Sequence, residues 1–70
     1  NYYSVYDYDV SGYGNGEYVS GNIDASGDRY VDGYLTLDDG TEVSFDGEWT
    51  GNGMVEGYDE NGNYYELEVD

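Results

Sequence analysis

The sequence predicts an all-β fold: a single small domain, a five- to six-stranded antiparallel meander, strongly twisted or curled toward a barrel or sandwich. A three-residue phrase recurs along the chain, as Val10-Ser11-Gly12, Val19-Ser20-Gly21, Val31-Asp32-Gly33, Phe45-Asp46-Gly47, Val55-Glu56-Gly57 and, with leucine in the last place, Tyr65-Glu66-Leu67. Its third positions lie 9, 12, 14, 10 and 10 residues apart, which suits one strand plus one tight turn and is far shorter than a helical repeat unit. Glycine-bearing turn signals separate the phrases, apolar and polar residues alternate between them, and no segment has helical periodicity.

The first strand is expected from Tyr3 to Gly12, with its apolar residues Tyr6, Tyr8 and Val10 at even positions. It leads into the glycine-rich stretch Gly12-Tyr13-Gly14-Asn15-Gly16, so its register is offset from the rest or it packs elsewhere. The chain thus divides into a tyrosine-rich N-terminal strand or arm, 1–12, and a glycine-punctuated meander, 13–70. Five further strands follow: Glu17 to Asp24, Arg29 to Leu37, Glu42 to Trp49, Met54 to Asp59 and Tyr64 to Val69. In all five the apolar residues stand at odd positions, among them Val19, Ile23, Val31, Leu35, Val43, Phe45, Trp49, Val55, Tyr65 and Leu67. Successive side chains of a strand point to opposite sides, so the odd face is buried and the even face is wet but aromatic.

Keeping odd residues on one face through each hairpin requires loops of odd length. Three-residue loops built on a type I turn satisfy this, with Gly27, Gly40, Gly53 and Gly62 in the left-handed position. The in-strand glycines Gly21, Gly33, Gly47 and Gly57 all fall on the buried face. They mark tight packing or a sharp bend, with a docking groove as the alternative.

Composition narrows function by exclusion. The 70 residues carry seventeen acids against one base, Arg29, for a formal charge of −16. Such a field repels phosphates and anionic lipids, so nucleic acid and membrane surfaces are poor partners, and no apolar run is long enough to cross a bilayer. Cysteine and histidine are absent, which removes disulfides, thiolate–imidazole zinc sites and any serine–histidine triad. The chain is not expected to be an enzyme. A low-hydrophobicity acidic chain would tend to disorder, but an aromatic share of 19% argues for a fold. Acidity, tyrosine richness and missing lysine fit an extracellular or secreted protein. The chain begins at Asn1 rather than Met, as a processed mature form or a fragment would.

No cofactor is expected, with Ca2+ as the one alternative. Asp7-Tyr8-Asp9-Val10-Ser11-Gly12 has the oxygen ligands and sixth-place glycine that open an EF-hand loop, but its twelfth position is Tyr18 and its flanks are strands. Asp7, Asp9, Asp38 and Asp39 remain weak carboxylate candidates for calcium. Phe45-Asp46-Gly47-Glu48-Trp49, followed by Gly51, Gly53 and Gly57, resembles part of a MORN repeat, a β-hairpin module with an aromatic-x-Gly-x-Trp core. The resemblance covers about one repeat and agrees with a glycine-punctuated meander. Its glycine spacing after Trp49 departs by one residue and the other phrases lack the tryptophan, so no scaffold or lipid-binding role is carried over.

Two functional expectations result. The first is an extracellular structural subunit, a homo-oligomer or filament, in which the segment holding Tyr2, Tyr3, Tyr6, Tyr8 and Val10 is donated to a neighbour's sheet. The second is a monomeric acidic and aromatic binding module for Ca2+ or carbohydrate, using Tyr18, Tyr30, Tyr34 and Tyr58 beside the even-face acids. An artificial β-protein with no activity is a third.

Overall fold

The computed structural model describes residues 6–25 and 27–70; Tyr2 and Tyr3 lie outside them. Six strands follow in order: β1 (Tyr6–Gly14), β2 (Glu17–Ala25), β3 (Tyr30–Thr36), β4 (Glu42–Gly51), β5 (Met54–Asp59) and β6 (Tyr64–Val69). Each pairs antiparallel with its neighbour in sequence, and β1 pairs with β6 to close a barrel. The register can be followed through one circuit: Tyr6 faces Ala25, Ala25 faces Val31, Val31 faces Gly47, Gly47 faces Gly57, Gly57 faces Tyr65, and Tyr65 faces Gly14. The circuit ends eight residues further along β1 than it began. A stagger of this size over six strands tilts them by roughly 40° from the barrel axis.

Closure explains the offset of the first strand. Asn15 and Gly16 form a two-residue turn with both φ angles positive, 51° and 78°, the type I′ geometry that matches strand twist. A loop of even length reverses parity, so even residues of β1 face odd residues of β2 and β6, and Val10 enters the core. The glycine-rich stretch is therefore strand through Gly14. β1 also begins at Tyr6 among the described residues.

The odd-length loops occur where parity is kept. Leu37 and Asp59 each accept a hydrogen bond from the glycine three residues on, Gly40 and Gly62, at 3.0 Å, and each donates its own N–H four residues on, to Thr41 and Asn63. Both are three-residue loops with glycine left-handed, φ 88° and 85°. Gly27 and Gly53 are also left-handed, but their loops differ from the three-residue expectation. β2 and β3 are joined by a longer connection, and β4 turns at Asn52-Gly53 with a bulge between Trp49 and Gly51 that absorbs the extra residue.

The core consists of Val10, Val19, Ile23, Ala25, Val31, Leu35, Val43, Phe45, Val55, Tyr65 and Leu67. Six strands enclose less space than the eight whose interior side chains just fill, and the in-strand glycines make room. They do not line up into a groove: only Gly47 and Gly57 face each other, while Gly21 faces Leu35 and Gly33 faces both Ile23 and Phe45. Small and large residues thus alternate around the interior, as narrow barrels require. A Cβ at Gly21 would overlap the Tyr34 carbonyl oxygen, and one at Gly33 that of Asn22.

The two mouths close differently. At one, Tyr8 packs edge-on against Trp49, ring centroids 5.6 Å apart. At the other, the buried Asp59 carboxylate accepts hydrogen bonds from the Asn61 and Asn63 backbone N–H groups, the Asn63 side chain and the Tyr65 hydroxyl. No buried side-chain polar atom among the described residues lacks a partner.

Candidate functional site

The exterior is built by register. Even residues of β2 to β6 and odd residues of β1 point outward, and strand pairing sets acids directly opposite acids. One row runs Asp7, Asp24, Asp32, Asp46 across four strands and continues into Tyr58 and Tyr64. The adjacent row begins at Tyr30 and runs Glu48, Glu56, Glu66 into Tyr13 and Tyr18. Like charges directly opposite one another destabilise a sheet, so these rows weaken the fold.

Where the two rows pass side by side over β4 and β5 they bound an open groove of about 510 Å3. Its floor is the backbone of Gly47 and Gly57, with the Phe45 ring seated beneath them from inside. Its walls carry Tyr30, Tyr58 and Tyr64 together with Asp46, Glu48 and Glu56. Tyr30 and Tyr58 are exposed, and the Tyr58 and Tyr64 rings lie 5.4 Å apart, tilted by 60°. The Tyr64 hydroxyl donates to Glu56 Oε1 at 2.7 Å and lies 3.1 Å from Glu66 Oε2. The Glu56 carboxylate, with further contributions from desolvation and Glu66, holds that hydroxyl well above the usual phenol range. Arg29 reaches Glu48 at 3.8 Å; both groups are exposed, and such pairs contribute about 0–1 kcal/mol. The groove therefore combines aromatic faces with an excess of negative charge, Arg29 standing against only one of its acids, and these two features attract organic cations.

A second groove of about 540 Å3 lies beyond Glu66 on the same row, lined by Ser11, Gly12, Tyr13, Tyr18, Met54, Glu66, Leu67 and Glu68. There Tyr13 packs edge-on against Tyr18, centroids 5.3 Å apart.

The sequence-derived site residues fall in several places. Tyr30 and Tyr58 meet in the first groove and Tyr18 in the second, while Tyr34 stands with Asp24, Asp32 and Ser44 on a neighbouring part of the wall. Val10 fills the core, Tyr8 packs against it half-buried, and Tyr6 is exposed at the start of β1. Of the calcium candidates, Asp7 faces Asp24 and Asp9 accepts from the Asn22 side chain at 2.9 Å. Asp38 and Asp39 sit in the β3–β4 loop, where the Thr41 backbone N–H bonds Asp39 and holds its carboxyl below the ordinary range. Among the described residues no three such ligands converge on one point.

Tyr13, Asp46, Glu48, Glu56, Tyr64 and Glu66 were missed as site residues. Even-face parity alone was enough to place Asp46, Glu48, Glu56, Tyr64 and Glu66 outside, but which of them are neighbours depends on the β4–β5 and β5–β6 registers, and only Tyr13 joins them through closure of β1 on β6. No family model, curated protein or solved structure matches the chain.

Proposed function

We propose that this acidic barrel is a non-catalytic binding module whose outer groove takes a lysine- or arginine-rich polypeptide segment. The observation that supports the reading is the groove itself: Tyr30, Tyr58 and Tyr64 beside Asp46, Glu48 and Glu56 in a chain of formal charge −16. Neutral sugars could stack on the same rings but would draw nothing from that charge, whereas a basic segment gains from both. The field steers a cationic partner inward, and the rings then hold guanidinium or ammonium groups at roughly 0.5–2 kcal/mol each. Titration calorimetry with an arginine- and lysine-rich peptide tests this. Tyr30→Ala and Tyr58→Ala keep the net charge and are expected to weaken binding severalfold each. Affinity that ignores both substitutions and follows ionic strength alone would reduce the interaction to unspecific charge attraction and sink the reading.

A second reading is favoured by the edge of β1. Its pairing with β2 extends to Tyr6, whereas its pairing with β6 stops at Val10. The outer edge of Tyr6 to Tyr8, preceded in the sequence by Tyr2 and Tyr3, is a place where an extracellular structural subunit would pair with a neighbour. Light scattering discriminates: on this reading the mass is well above 7.8 kDa and falls to that of one chain when residues 1–5 are deleted.

A further inference from the structure

The Tyr58–Tyr64 pair carries an inference independent of any bound partner. The two residues face each other directly across the β5–β6 hairpin, ring centroids 5.4 Å apart, 56% and 39% exposed. The Tyr64 hydroxyl already donates to a carboxylate, Glu56 Oε1, at 2.7 Å. We propose that this pair is an oxidative cross-linking site, joined into dityrosine by a one-electron oxidant of the haem-peroxidase class supplied with hydrogen peroxide, with Glu56 accepting the first phenolic proton.

A phenol gives up an electron most readily when its proton can leave at the same moment to a positioned base. A phenol is protonated at neutral pH, so oxidation must move the proton with the electron, and at Tyr64 the acceptor is already in place at 2.7 Å. Tyr64 loses one electron to the oxidant and its proton to Glu56, which passes it to water. Tyr58, in ring contact, loses one electron to the oxidant and its proton directly to water. The ring carbons ortho to each oxygen then form a carbon–carbon bond, and the hydrogen on each of those carbons moves to oxygen to restore two phenols. One hydrogen peroxide takes up the two electrons and two protons and leaves as two waters.

The comparison pair lies on the same molecule. Tyr13 and Tyr18 are as close, at 5.3 Å, and more exposed, at 67% and 49%, yet no such carboxylate contact to either hydroxyl is found among the described residues. Ring proximity alone would couple that pair first; a positioned proton acceptor favours Tyr58 and Tyr64. The product would tie β5 to β6 in a chain without cysteine, restricting its unfolded state as a disulfide does.

The test exposes the whole chain to a haem peroxidase and hydrogen peroxide at low protein concentration, follows dityrosine fluorescence, and maps the product after cleavage at glutamate. Cleavage after Glu56, Glu60 and Glu66 releases Tyr58 and Tyr64 on separate peptides. The expected product is those two peptides joined, with the loss of two hydrogens, in a monomer. Tyr64→Phe abolishes that product, and Glu56→Gln slows its formation severalfold while circular dichroism shows the fold unchanged. Predominant Tyr13–Tyr18 or intermolecular coupling, or a rate indifferent to Glu56→Gln in the folded variant, would overturn the proposal.

Discussion

Replacing Asp59 probes the closed mouth of the barrel. The carboxylate is 6% exposed and accepts from Asn61 N–H at 2.8 Å, Asn63 N–H at 3.0 Å, Asn63 Nδ2 at 3.2 Å and the Tyr65 hydroxyl at 2.8 Å. In Asp59→Asn the volume is kept, but an amide NH2 replaces one oxygen and meets a donor, so at least one buried donor loses its acceptor. An unsatisfied buried group costs about 1–3 kcal/mol and a hydrogen bond to a charged group contributes about 1.5–3, so the expected loss is about 2–4 kcal/mol. Total stability for this length is roughly 4–10 kcal/mol, which makes the loss plain in urea unfolding followed by Trp49 fluorescence. Tyr65→Phe is expected to cost about 1–2 kcal/mol, with a double-mutant coupling of about 1 kcal/mol or more. Asp59→Asn unfolding within about 0.5 kcal/mol of the parent, inside the range of an ordinary surface substitution, would refute the reasoning.

The same pair fixes two pH limits. Burial raises the Asp59 carboxyl, but the hydrogen bonds from Asn63, Tyr65 and Asn61 outweigh it and hold the group below its ordinary 3.8. Its stabilisation is therefore complete above pH 3.8 and lost as pH falls through the lower folded-state value. Burial, and then the Asp59 carboxylate, push the Tyr65 hydroxyl from 10.0 up to about 12. That contribution is complete below pH 10 and lost as pH rises through about 12; Tyr65→Phe removes this alkaline loss.

Other outcomes follow from the register. One glycine inserted between Asn15 and Gly16 makes the first loop odd, turns Val10 outward, and is expected to abolish cooperative unfolding; a native-like spectrum would contradict the parity account. Gly33→Ala places a Cβ over the Asn22 carbonyl and 2.7 Å from Ile23 Cα, with an expected loss of about 3 kcal/mol by urea unfolding. Gly40→Ala meets open space and loses only its left-handed φ of 88°, about 1 kcal/mol; equal losses would contradict the close approach. Asp32→Asn removes the charge between Asp24 and Asp46 and is expected to stabilise by roughly 0.4–1 kcal/mol at low salt, with the gain shrinking as sodium chloride screens the row.

Much of this was legible in the sequence because period-two patterning and parity are local. Strand positions, the odd-face core and the left-handed Gly27, Gly40, Gly53 and Gly62 required only neighbouring residues. Closure of β1 on β6 was not legible, since it depends on a pairing between residues such as Gly12 and Leu67, far apart in the chain, and on Asn15-Gly16 acting as a two-residue turn. The groove was legible in part. Tyr30 and Tyr58 were recognised as exposed, but their meeting with Glu48, Glu56 and Tyr64 follows from three cross-strand registers taken together. The in-strand glycines show the same limit: their face was readable, while their alternation with Leu35, Ile23 and Phe45 was not.

The most direct test of the binding account is a nuclear magnetic resonance titration of the labelled chain with an arginine- and lysine-rich peptide at physiological salt. The account predicts saturable shifts concentrated at Tyr30, Gly47, Glu48, Glu56, Gly57 and Tyr58. Shifts spread evenly over all the acidic residues, or none, would contradict it.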